Sequence, residues 1–91
     1  MANDPGFGYR VTATVVETKG SCNAGHKAGD TFELSCHNPA GLCGFFYHSI
    51  FGDLEAFQFG GSLPWWDGDK IEVQCPDVAN MVTLELERKK R

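Results

Sequence analysis

The sequence has no apolar run near the ~20 residues that a membrane span requires. Residues 1–8 carry neither a basic nor an apolar segment. They do not read as a secretory signal, and the expected compartment is the cytoplasm. Basic residues are scarce before the C-terminus: four precede Arg88, against twelve Asp and Glu. The chain up to Glu87 therefore carries −8, and the whole chain −4. A surface of that sign repels phosphate backbones and anionic lipid, which disfavours nucleic acid and membranes as partners. Also missing are a Cys-x-x-Cys knuckle, a Gly-x-x-x-x-Gly-Lys phosphate loop, a Ser-centred nucleophile elbow and any internal repeat. Asp67 and Asp69 look like turn chemistry, not a general acid/base pair.

What is there suits one small domain. Ninety-one residues lie near the lower end of what folds on a single core without staples. At 42% hydrophobic, with seven Phe and two Trp, the chain has the apolar area to build that core. Residues 1–8 read as a flexible arm, 9–88 as the domain and 89–91 as a basic end. Arg88 to Arg91 together are expected to be the solvated close of the last strand.

Period-two alternation predicts a strand over Tyr9 to Lys19, with Tyr9, Val11, Ala13 and Val15 on one face. A glycine-rich loop follows, then a short strand over Thr31 to Cys36. Asn38-Pro39 breaks the chain ahead of a helix over Gly41 to Phe57. Leu42, Phe46, Ile50, Leu54 and Phe57 form its apolar stripe, widened by Phe45 and Phe51, while Gly44 and Gly52 weaken it. Asp67-Gly68 marks a turn. Ile71, Val73 and Cys75 line a third strand, and Val82, Leu84 and Leu86 a fourth, paired with it as a hairpin. The expected fold is α+β in the order β-β-α-β-β, one helix on a mainly antiparallel four-stranded sheet.

Chemistry is concentrated in four cysteines and three histidines. In a cytoplasmic chain such cysteines are expected to be thiols or metal ligands. Cys22 and His26 share the loop, at a separation that lets thiolate and imidazole reach one ion. Cys43 lies at the expected helix start, where the positive end of the helix dipole favours a thiolate. Cys75 ends the third strand. Convergence of Cys22, His26, Cys43 and Cys75 would make a Cys3His site for zinc or iron. Against this, cysteine often simply fills core volume, as Cys36 and Cys75 would by continuing the inward faces of their strands. His37 is expected at a surface turn and His48 on a solvated helix flank. Gly60, Gly61, Pro64, Trp65 and Trp66 form an aromatic loop, read as a ligand or partner lip or as a cover for the end of the core.

Cys22-x-x-Gly25-His26-x-x-Gly29-Asp30-x-Phe32, Gly41-x-Cys43, Gly60-Gly61-x-x-Pro64-Trp65 and Cys75-Pro76-Asp77, in that order, resemble a family of small uncharacterised proteins found mostly in anaerobic bacteria and archaea. The likeness runs from about Tyr9 to Arg88. It implies that Cys22, Cys43 and Cys75 are the family's typical cysteines, that His26 belongs to one branch of it, and that Cys36, His37 and His48 lie outside its motifs.

Three functional readings follow. One is a metal-binding or thiol-bearing module using Cys22, Cys43, Cys75 and His26. The second is an accessory subunit of a larger anaerobic enzyme, with inert cysteines and the Gly60 to Trp66 loop as its contact surface. The third is a stand-alone enzyme with Cys43 as nucleophile. So short a chain has little room to enclose a substrate, which favours a binding or partner role over catalysis.

Overall fold

The computed structural model describes residues 3–91. Its elements run β1 (Arg10–Thr18), β2 (Thr31–Leu34), α1 (Gly44–Gln58), β3 (Lys70–Gln74) and β4 (Val82–Lys89). The strands form one antiparallel sheet in the spatial order β2-β1-β4-β3. The fold is α+β, as expected. The two long strands are central, and the two short ones are edges joined by the helix. Among the described residues no helix is long and apolar enough to cross a membrane.

Alternation decides what each strand buries. Val11, Ala13 and Val15 of β1 meet Leu34, Ile71, Val73, Val82, Leu84 and Leu86 on one face of the sheet. Phe46, Ile50, Leu54 and Phe57 of α1 pack on that face, the helical spacing placing all four on one stripe. Leu42 joins the core from the segment before the helix, which begins three residues later than expected. Phe45, read as part of the stripe, is 81% exposed instead, because it stands about 100° around the helix from Phe46. A bulge between Val15 and Glu17 shifts the β1–β4 register and leaves Val16 on the outside.

The expectation that Arg88 to Arg91 form a solvated end holds for Lys89 and Lys90 and is corrected at Arg88. Arg88 is 8% exposed. Two residues beyond Leu86, it falls on the core face of β4. Its guanidinium donates to the carbonyl oxygens of Phe57 (2.9 Å) and Gly61 (2.7 Å) and to Asp69 Oδ1 (3.1 Å). It also lies 4.6 Å from the centroid of the Phe57 ring. Arg91 pairs with Asp4 and Glu33, leaving Lys89 and Lys90 as the exposed cations of this end.

The arm has defined contacts. Phe7 O accepts the Gln58 side-chain amide (3.0 Å), and Tyr9 N–H donates to Gln58 O (2.7 Å). Gln58 is fully buried, and its Oε1 accepts Cys36 N–H at 2.8 Å. One side chain thus joins the arm, the helix end and the segment after β2.

Candidate functional site

Three stretches of chain that are distant in sequence meet at one end of the sheet. The first is the loop between β1 and β2. Gly29 N–H donates to Val15 O (2.7 Å) and Val15 N–H to Asp30 O (2.8 Å), which anchors the loop base on β1. Asp30 Oδ2 accepts Lys27 N–H, and Gly25 N–H closes a turn on Cys22 O. The His26 ring stacks on Phe32 of β2, with centroids 6.0 Å apart and planes 25° apart.

The second stretch leads into the helix. Asn38, at φ 49°, accepts Leu42 N–H on Oδ1 (2.8 Å) and donates from Nδ2 to Leu42 O (3.3 Å). Asparagine tolerates the left-handed region, and its amide holds the 38–42 turn closed. That turn delivers Cys43 to the N-cap of α1, where Cys43 O accepts Tyr47 N–H (2.8 Å) and the thiol makes no capping bond.

The third is the turn between β3 and β4. Cys75 N–H donates to Val82 O (3.1 Å), and Val82 N–H donates back to Cys75 Sγ (3.2 Å). Asp77 Oδ1 accepts the amides of Ala79 and Asn80, and Oδ2 accepts the Asn80 side chain. The Asn80 backbone, then its side chain, then Ala79 hold the Asp77 carboxyl below the usual range, so the carboxylate keeps this turn closed at neutral pH.

All four candidate ligands line one cleft. Cys22, His26, Cys43 and Cys75 face a cavity of about 550 Å³ walled by Phe45, Phe46, Pro76 and Val82. His26 Nε2 is closed off from solvent and has no hydrogen-bond partner. Every cysteine is a free thiol, half-buried. Among the described residues no three His, Cys, Asp or Glu side chains stand close enough to hold one metal ion, so the cleft is open rather than a formed cage.

The remaining candidates lie elsewhere. Cys36 sits past the end of β2, packed on the core, and its thiol is pushed up by burial and then by Glu55 and Asp4. His37 is exposed and meets Phe7 edge-on. His48 is exposed on the helix flank but borders a second cavity that shares Cys43, Phe45 and Pro76 with the cleft. Gly60 and Gly61 end the helix. Gly60 takes φ 85°, and Gly61 N–H donates to Ala56 O (2.7 Å). Trp66 covers the core, edge-on to Phe57 at 5.6 Å, while Trp65 is 76% exposed beside exposed Pro64.

Sequence reasoning missed Asn38 as the positioner of Cys43, and Phe45 as a cleft wall. An Asn-Pro step before a helix was the available signal for the first; none existed for the second. No family model, curated protein or solved structure matches this chain.

Proposed function

We propose that this chain is a small cytoplasmic binding module that captures a thiophilic metal ion, zinc or iron, with Cys22, Cys43 and Cys75 as thiolate ligands and His26 as the imidazole. The observation that carries this reading is convergence. Four residues from three separate stretches line one cleft, and the buried Nε2 of His26 lacks the partner that a buried ring nitrogen requires. Three thiolates and an imidazole suit zinc or ferrous iron. Because the side chains stand apart, capture draws the Cys22–His26 loop toward Cys43 and Cys75, which sit on the helix start and the hairpin.

Free thiols suit a reducing compartment. A thiol-nucleophile enzyme needs a base beside its sulfur, and among the described residues no thiol hydrogen bond involves an imidazole. The exposed Trp65 favours a second reading, an accessory subunit that docks by the 60–66 loop.

Elemental analysis of protein purified without oxygen tests the first reading, together with thiol counts before and after chelation. One zinc or iron per chain, with three thiols released by chelator, is the expected result. No metal, with every thiol titrating freely, would sink it in favour of the accessory subunit.

A further inference from the structure

The cleft is larger than an ion needs. At about 550 Å³ it falls in the range of small-molecule sites, which are mostly apolar with a few placed polar groups. Its walls follow that description, because Phe46 and Val82 are core residues that also line it, and Pro76 adds a ring.

Phe45 is the decisive side chain. It sits in the first turn of α1, next to Cys43, and it lines both the thiol cleft and the adjoining cavity that reaches His48 and Ser49. At 81% exposed, the ring contributes little to the core. An apolar ring standing in water at the mouth of a thiol-lined cleft gives a bound molecule a face to stack on. A bare ion would leave that face unused.

We infer that the cleft takes an apolar organic molecule carrying a thiophilic head. The head is held by thiols among Cys22, Cys43 and Cys75, and an aryl or alkyl body lies against Phe45 and Pro76. His26 Nε2 supplies a polar contact for the head. The inference rests on the reading that these thiols act on one ligand, and it adds the class of molecule that brings the thiophilic centre.

The probe is phenylarsine oxide, compared with inorganic arsenite as a trivalent arsenic head without the aryl body. Two thiols and the arsenic oxide condense to two arsenic–sulfur bonds and one water. Both S–H protons leave on the oxide oxygen, and arsenic stays trivalent. Binding is measured by competition with a small dithiol for the unsubstituted chain and for Phe45→Ala, Phe45→Tyr and Cys36→Ser.

Phe45→Ala is expected to weaken phenylarsine oxide about tenfold, the effect of uncovering roughly half an aryl ring, while arsenite affinity stays within about twofold. Phe45→Tyr keeps the ring and the affinity. Cys36 lies outside the cleft, so Cys36→Ser leaves both probes bound. Phenylarsine oxide binding that is indifferent to Phe45→Ala, or an equal loss for both arsenicals, overturns the aryl seat and leaves the thiol cluster standing. Failure of both arsenicals to bind the unsubstituted chain overturns the cluster as well. Phe45 is too exposed for its loss to unfold the domain, and an unchanged melting temperature verifies this.

Discussion

Arg88 shows how much one side chain can hold. It ties the last strand to the helix end and to the glycine pair beyond it, through two carbonyls and one carboxylate. Arg88→Ala leaves those carbonyls without their donor and is expected to cost about 3 kcal/mol in denaturant unfolding. Arg88→Lys recovers only part of this, since an ammonium lacks the planar fork. Asp69→Asn costs under about 1 kcal/mol because that carboxylate is 70% exposed. Tyr47 sets an alkaline limit. Burial, and next the charge of Cys36, push its phenol up to about 12 from an ordinary 10.0. A group that keeps its proton longer when folded gives stability that is complete below its ordinary value and is lost as pH climbs through the folded one. Melting temperature should therefore fall between pH 10 and 12. The decline should be shallower in Tyr47→Phe, which at neutral pH loses about 1 kcal/mol with the bond to Ser35 O.

The elements carry their own tensions. Gly52 lies mid-helix with open space where a Cβ would stand, so only its backbone freedom counts against it. Gly52→Ala should raise the denaturation midpoint by the equivalent of about 0.5–1 kcal/mol. On the open face of the sheet Glu72 of β3 pairs directly with Glu85 of β4. Two carboxylates in opposite register repel, and Glu72→Lys should stabilise by roughly 0.2–1 kcal/mol, an effect that shrinks in high salt. The strands and helix were legible because periods of two and 3.6 are local properties of the chain. The element ends were not. β2 stops at Leu34 and α1 waits until Gly44, because Asn38 folds the intervening chain into a turn by bonding to Leu42.

For the whole molecule, capture of a ligand that binds only the folded chain adds stability by mass action. At a hundredfold excess over its Kd, zinc should stabilise the domain by about 2.7 kcal/mol. Cys75→Ser should abolish that increment, since its sulfur is the one already oriented by a backbone amide, while Cys36→Ser should leave it intact. Thermal melts with and without metal separate the two outcomes. Convergence of the thiols belongs to this scale. The sheet order β2-β1-β4-β3 brings the β1–β2 loop, the helix start and the β3–β4 turn to the same end, although Cys22 and Cys75 lie more than half the chain apart in sequence.

By itself the sequence determined the element order, the apolar stripes and the set of reactive residues, because those depend on neighbours a few positions apart. Even the burial of Arg88 was written in the alternation of β4, which carries Val82, Leu84, Leu86 and Arg88 to one face. Tertiary structure alone decided which cysteines face the same cavity. Cys22, Cys43 and Cys75 share a cleft and Cys36 does not, since the antiparallel pairing of non-adjacent strands, not any local spacing, sets which loops lie side by side.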